Sequence, residues 1–183
     1  MFGRYTDECK RAIFFAQQTA LCGGATAIDS GHLLLGLLSE GGTRADAVFR
    51  LRDLFPEETA KQTNLIKQNS LKGTIPLTVD GKRTVAFTVR EANGLRDYWI
   101  DTEHLVLGIL REGENQAAGR LRAAGLELET ARQRVVENKC FRPPQPNPVL
   151  WWVRQRPLGV ALSIAFVLGI IAALYLFGFV GGR

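Results

Sequence analysis

Two segments of this chain carry nearly the same sequence, and this repetition constrains the fold more than any other feature. Ile28 to Gly41 reads IDSGHLLLGLLSEG, and Ile100 to Gly113 reads IDTEHLVLGILREG. Nine of the fourteen positions are identical, without a gap, at an offset of 72 residues. A fixed period of this kind indicates one supersecondary unit used twice. The same offset aligns residues outside the two segments: Thr6 with Thr78, Lys10 with Lys82, Phe15 with Phe87 and Arg50 with Arg122.

Each unit has the sequence pattern of about four short helices. Helices are expected to begin at residues that cap well or fit a first turn, and to end at glycines. No stretch alternates with a period of two for long, so no sheet is expected. The ranges predicted for repeat one are from Thr6 to Gly23, from Asp29 or Ser30 to Gly41, from Thr43 to about Arg52 and from Pro56 to about Gln68. Those predicted for repeat two are about 79–93, 102–112, 115–124 and 127–138.

The charge of the chain is concentrated after the repeated region. The formal net charge is +5 over 183 residues. Up to Leu150 there are 20 Lys and Arg against 18 Asp and Glu, a balance of +2, and the other three positive charges are Arg154, Arg156 and Arg183. A basic patch is the electrostatic requirement of nucleic-acid binding. The nearly neutral repeats therefore argue against a nucleic-acid partner.

The cysteines and histidines do not form a recognisable metal or cofactor motif. The three cysteines, Cys9, Cys22 and Cys140, are odd in number and lack CxxC spacing, which favours reduced thiols over a disulfide framework or a zinc site. His32 and His104 lie at equivalent helix starts, so a structural hydrogen-bonding role is favoured over a metal ligand or a general base. We expect no metal, no cofactor and no catalytic residue.

The carboxyl-terminal part predicts a membrane anchor. Residues 143–157 begin with four prolines within six residues, a composition typical of a semi-rigid linker. Leu158 to Val180 follows with 23 uncharged residues. As a helix this stretch would be about 34 Å long, enough to cross a bilayer core of about 30 Å. Trp151 and Trp152 precede it and fit the interface.

Two further properties of the anchor follow from its sequence. Arg154 and Arg156 precede the span and only Arg183 follows it, so the positive-inside tendency places the repeats in the cytoplasm, with the bacterial inner membrane as the expected location. Small residues recur every four positions along the span, which favours a homodimer of two closely packed helices, although such residues are also common in membrane spans. They are Ala161, Ala165, Gly169 and Ala173.

The repeated motif resembles a known family. Each copy has a threonine and a Lys-Arg pair ahead of I-D-x-x-H-L-x-L-G-x-L-x-E-G, and two such units in tandem resemble the amino-terminal Clp repeat domain of the Clp AAA+ unfoldases. The resemblance implies an all-α, pseudo-twofold domain of eight helices over residues 1–142, with repeat one at 1–70 and repeat two at 71–142. In that family the domain is a mobile module that receives substrates and adaptor proteins.

From this sequence we expect no ATPase part of the kind that such unfoldases carry. The only Gly-Lys pair, Gly81-Lys82, is followed by Arg83 and lacks the P-loop glycine five residues earlier. The resemblance therefore implies a docking domain without enzymatic activity, re-attached to a membrane, which binds a substrate, an adaptor or a Clp component. The alternative is a membrane-anchored regulatory or signalling sensor whose ligand is not a proteolysis substrate.

The resemblance also implies a site for arginine-phosphorylated protein. Some bacterial members use the threonine that opens a repeat and the glutamate before the histidine. By residue match, repeat two keeps Thr78 and Glu103, whereas repeat one keeps Thr6 but has Gly31 in place of the glutamate. A carboxylate pairs with a guanidinium group, and amides at a helix start bind phosphate. The other reading is that Thr78 only caps a helix and Glu103 only complements a helix dipole.

Overall fold

In the computed structural model, residues 3–68 and 73–141 are described, and their regular elements are helices. A 3-10 helix, Asn138–Phe141, ends the described part. The all-α prediction is thus confirmed for these residues. The α-helices in these ranges are α1 (Asp7–Cys22), α2 (Ser30–Glu40), α3 (Arg44–Phe49), α4 (Leu51–Leu54), α5 (Pro56–Gln68), α6 (Val79–Gly94), α7 (Thr102–Glu112), α8 (Gln116–Ala123) and α9 (Leu128–Glu137).

The helices begin at the capping residues that the repeated sequence supplies. The Thr6 hydroxyl accepts a hydrogen bond from the backbone N–H of Cys9, and its counterpart Thr78 accepts one from Gly81, each at 3.2 Å. Asp29 and Asp101 cap α2 and α7 in the same way. Capping side chains satisfy N–H groups that have no partner within the helix. The two repeats therefore start their helices by the same local chemistry.

The second helix of each repeat lies at the centre of the core. In α7 every residue from Thr102 to Leu110 is buried, and in α2 the paired leucines at 33–34 and 37–38 are buried. A helix that is apolar on most sides is stable only when neighbours cover it on most sides. The near-identical sequence of α2 and α7 is thus explained by their shared central position.

A glycine in the middle of each central helix allows close packing of the preceding helix. A Cβ atom added to Gly108 of α7 would lie 2.7 Å from the carbonyl oxygen of Thr84 in α6. One added to Gly36 of α2 would lie 2.6 Å from the backbone nitrogen of Ala16 in α1. Contacts this short are not tolerated, so any side chain at either position would push the two helices apart. This close approach accounts for the glycine that both copies of the repeated segment contain.

Repeat one departs from the predicted four helices. The sequence predicts one helix from Thr43 to about Arg52, but the structure divides this range into α3 and α4. Arg50 separates them in the left-handed conformation, with φ of 55°, and its Nε atom lies 2.8 Å from Asp53 Oδ2. A left-handed residue cannot continue an α-helix, so α3 ends there. The described residues therefore contain nine α-helices rather than the eight expected.

The predicted anchor lies outside the described residues. In the ranges 3–68 and 73–141, no helix is long and apolar enough to cross a membrane. The proline-rich linker at 143–157, the span at 158–180 and the small residues within it all belong to the part of the chain that the structure leaves undescribed. Their predicted roles remain predictions.

Candidate functional site

The two repeats meet through a crossed exchange of backbone hydrogen bonds. In repeat one, the segment before α1 pairs with the segment before α7, where the N–H of Thr6 donates to Ile100 O at 2.9 Å. In repeat two, the segment before α6 pairs with the segment before α2, where the N–H of Thr78 donates to Ile28 O at 2.9 Å. Each first helix thus starts beside the central helix of the other repeat. Two equivalent junctions result.

The first junction combines Thr6 with the acidic start of α7. The Thr6 hydroxyl donates to Asp101 Oδ1 at 2.9 Å. Glu103 is fully buried, and Arg44 at the start of α3 donates from Nε to Glu103 Oε1 at 3.0 Å. A second nitrogen of Arg44 donates to the carbonyl oxygen of Asn138, also at 3.0 Å. The carboxylate at this junction therefore already holds a guanidinium group, supplied by the chain itself.

The second junction combines Thr78 with the start of α2. The Thr78 hydroxyl contacts Ile28 O at 3.1 Å and also bonds to the carboxylate of Asp80. The other Asp80 oxygen accepts the backbone N–H of Ser30 at 3.1 Å. Burial acts to raise the pKa of Asp80, but the hydrogen bonds from Thr78 and Ser30 outweigh it and hold the pKa below its ordinary value. Asp80 supplies an anion at these helix starts, where amide donors favour negative charge.

These contacts place the predicted site residues at different junctions. Glu103 lies at the junction of Thr6, whereas Thr78 lies at the junction where the equivalent position is Gly31. The residue match pairs Thr78 with Glu103 along the chain, but the crossed exchange pairs each helix start with the other repeat. Binding of a modified arginine by Thr78 and Glu103 remains a prediction, and in the described contacts Glu103 shares a junction with Thr6.

Both histidines take part in the capping of the central helices. The Nδ1 atom of His104 accepts the backbone N–H of Asp101 at 3.0 Å, and its Nε2 atom lies 3.1 Å from Asp97 Oδ2. His32 accepts the N–H of Asp29 in the same way at 3.3 Å. These are reciprocal caps, in which the aspartate and the histidine each satisfy a backbone donor. The structural role expected of the two histidines is found.

An apolar groove lies between the amino-terminal segment and α6, and we call it the junction groove. Its volume is about 320 Å³. Its described lining residues include two cations, Arg4 and Lys82, and no acid. The groove could not be predicted from the sequence, because it forms only when residues 3–5 lie across α6. The other lining residues are Gly3, Tyr5, Leu77, Val85, Ala86, Val89 and Ile100.

Comparison with known sequences identifies the family. Residues 4–124 match the sequence profile of the Clp repeat (R) N-terminal domain, so the chain belongs to this family. The matched domain is a protein-interaction domain and not the catalytic part of the larger family members. This result confirms the resemblance found in the repeated motif.

Two bacterial relatives show the extent of the match. The negative regulator of genetic competence ClpC/MecB of Bacillus subtilis is 34% identical over 139 residues, which cover 75% of this chain and 17% of the relative. The chaperone protein ClpB of Oceanobacillus iheyensis is 36% identical over 141 residues, with the same two coverages of 75% and 17%. The chain thus spans about one sixth of the length of these relatives, or 17%.

Solved structures share the fold. The N-terminal domain of the chaperone ClpD from Arabidopsis thaliana superposes with a TM-score of 0.56 at 20% identity, covering 75% of this chain and 96% of that domain. The Hsp104 N-terminal domain from Candida albicans gives 0.52 at 15% identity, covering 73% and 89%. At these identities the likeness concerns the fold alone.

Proposed function

We propose that this protein is a non-enzymatic docking module, tethered to a membrane by residues 158–180, that binds proteins through the junction groove. The observation that carries the proposal is the groove itself, an apolar concavity on a domain whose family binds proteins. Ligand sites are typically concave and mostly apolar, with a few polar groups that set orientation. Arg4 and Lys82 are such groups here.

The proposed partners are substrates, adaptors or components of a Clp system. The proposed role is to bring such proteins to a membrane. The domain lies before a proline-rich linker, which in this proposal separates the docking surface from the bilayer. The predicted orientation places the docking surface in the cytoplasm.

Site-specific photocrosslinking tests the proposal. A photoreactive phenylalanine replaces Val89, which lines the groove, in the full chain expressed in its own host. The control carries the same residue at Val136, a half-exposed position on α9. We expect unfoldase, protease or adaptor subunits to be crosslinked from position 89 and not from position 136.

The two other outcomes are also informative. Crosslinks from position 89 to a kinase or a transcription regulator would support the alternative role as a signalling sensor. If position 89 gave no more crosslinks than position 136, the junction groove would not be a docking surface.

A further inference from the structure

The junction groove has a counterpart on repeat one with different residues. The offset of 72 relates α6 to α1, so each groove position on α6 has an equivalent on α1. A comparison of the two sets shows which properties of the groove come from the shared fold and which belong to repeat two alone. The equivalent pairs are Lys82 and Lys10, Val85 and Ile13, Ala86 and Phe14, and Val89 and Gln17.

The two surfaces differ first in shape. Ala86 lines the groove on α6, whereas Phe14 projects from α1 with 51% of its surface exposed. Val89 lines the groove, whereas the amide of Gln17 donates to Gly73 O at 2.7 Å. A phenyl ring and an occupied amide therefore stand on α1 where α6 has small and apolar side chains. Repeat two is the half with room for a ligand side chain.

They differ also in charge. Lys10 forms an ion pair of 2.9 Å with Asp7, three residues earlier on α1. The residue three positions before Lys82 is Val79, which is 68% exposed. In the ranges 3–68 and 73–141, no carboxylate forms an ion pair with Lys82. Lys82, which borders the groove, therefore has no carboxylate partner among these residues, whereas Lys10 has Asp7.

Arg4 adds a second positive charge at the groove. Its guanidinium group donates to the carbonyl oxygens of Tyr98 at 2.8 Å and Asp97 at 3.1 Å, and to the amide oxygen of Asn93 at 2.9 Å. These acceptors are uncharged, so they fix the position of Arg4 without cancelling its charge. The equivalent position in repeat two's own amino-terminal segment is Pro76, so repeat one's counterpart surface has no such cation.

We propose that the junction groove takes one large apolar side chain from an extended segment of a partner protein, with Asp or Glu residues beside it. This inference rests on the proposed docking function and names the chemistry of the docked segment. The apolar side chain enters between Tyr5, Val85 and Val89, and the neighbouring carboxylates face Lys82 and Arg4. The equivalent surface of repeat one does not bind this segment.

Fluorescence anisotropy with three peptides tests the inference. The full chain is held in nanodiscs of neutral phosphatidylcholine, so that no anionic lipid competes. The three labelled peptides share one central phenylalanine and differ only in flanking residues, which are glutamate, glutamine or lysine. Since an exposed ion pair contributes up to about 1 kcal/mol, the glutamate peptide should bind about threefold to fivefold more tightly than the glutamine peptide. The lysine peptide should bind most weakly, and added salt should narrow the differences.

Matched variants assign the binding to repeat two. Lys82→Gln should weaken the preference for glutamate to what Arg4 alone supports, and Lys10→Gln, the same change at the equivalent position, should leave it intact. Ala86→Phe places in the groove the phenyl side chain that repeat one already has at Phe14. It should therefore weaken the binding of all three peptides about tenfold or more. Ala86 is exposed, so this change does not disturb the core.

Four results would overturn the inference in whole or in part. Equal binding of the glutamate and lysine peptides would show that the groove does not select acidic residues. If Lys10→Gln and Lys82→Gln changed peptide binding equally, the binding site could not be assigned to repeat two. If Ala86→Phe abolished binding of all three peptides while they bound equally well to the wild type, the docking function would stand and only the acidic chemistry would fail. If Ala86→Phe left all binding unchanged, the groove would not be the site, and the photocrosslinking result would decide the docking function separately.

Discussion

Nε of Arg44 lies 3.0 Å from Oε1 of Glu103, whose side chain has no solvent exposure. The Arg44 side chain itself is only 16% exposed. This ion pair joins the start of α3 in repeat one to the start of α7 in repeat two, at a position where the family resemblance predicts a ligand. It therefore bears on both the stability of the domain and its chemistry.

Removal of one member of this pair should destabilise the domain strongly. Loss of one partner of a buried ion pair leaves an uncompensated charge and typically costs about 3–5 kcal/mol. We expect Glu103→Ala to lower the free energy of unfolding by about 3 kcal/mol, measured by urea denaturation. The control is Asp53→Ala, which breaks an exposed pair with Arg50 and should cost less than about 1 kcal/mol. Equal losses of unfolding free energy in the two variants would show that the buried pair stabilises the domain no more than the exposed pair does.

Arg44 should also compete with any guanidinium ligand at Glu103. We expect the wild-type protein to bind free phosphoarginine weakly, because Arg44 already occupies the carboxylate. In Arg44→Ala, phosphoarginine should replace the missing group and raise the thermal midpoint, since a ligand that binds only the folded state stabilises it. This gain should vanish when Thr6→Ala is added and persist when Thr78→Ala is added. No thermal shift in Arg44→Ala at millimolar ligand would contradict a modified-arginine site.

The stability of repeat two should fall in acid because of Glu91. Its carboxylate bonds to Arg132 at 2.6 Å and to Arg111 at 2.7 Å. Burial acts to raise the pKa of Glu91, but these hydrogen bonds and charges outweigh it and hold the pKa below the ordinary 4.5. A lowered pKa means that the unfolded chain takes up the proton first. The stabilisation by the ionised Glu91 carboxylate is thus fully present above pH 4.5. It is lost as the pH falls through the lower pKa of the folded state.

Thermal melts between neutral pH and pH 3 measure this effect. The wild-type midpoint should fall as the pH drops below 4.5, and Glu91→Gln should start lower at neutral pH and fall less. Glu57→Gln removes an exposed glutamate of α5 and is the matched control. If Glu91→Gln kept the full wild-type dependence on pH, the carboxylate of Glu91 would not be its source.

The orientation of the proposed anchor can be tested in intact cells. Arg154 and Arg156 precede the proposed span, and basic residues beside a span tend to remain in the cytoplasm. Protease added outside should therefore leave the repeats whole, while protease added to permeabilised cells should digest them. Digestion in intact cells would reverse the proposed topology.

Local features of the fold could be predicted from the sequence because their causes are local. The helix that starts after Thr78 and the caps formed by His32 and His104 depend on residues within one turn of each other. The division between α3 and α4 could not be predicted in this way. Glycine usually marks a left-handed position, and here the residue is Arg50.

The site was harder to predict because its contacts are distant in sequence. The partner of Glu103 is Arg44, 59 residues earlier, and no spacing rule connects them. The crossed exchange at Ile28 and Ile100 is likewise a tertiary contact between repeats. The residue match pairs Thr78 with Glu103 along the chain, whereas in the structure Thr78 contacts Ile28 and Glu103 contacts Arg44. The junction groove left no trace in the sequence for the same reason.

Co-purification measures most directly whether partner proteins dock in the junction groove. The full chain is isolated as wild type, as Ala86→Phe and as Ala123→Phe, the same change at an exposed position of α8. Partners are quantified by mass spectrometry. At partner concentrations below the dissociation constant, Ala86→Phe should lose about nine tenths of the bound partner, as a tenfold weaker affinity would give, while Ala123→Phe should retain it. Equal recovery with all three proteins would contradict docking in the groove.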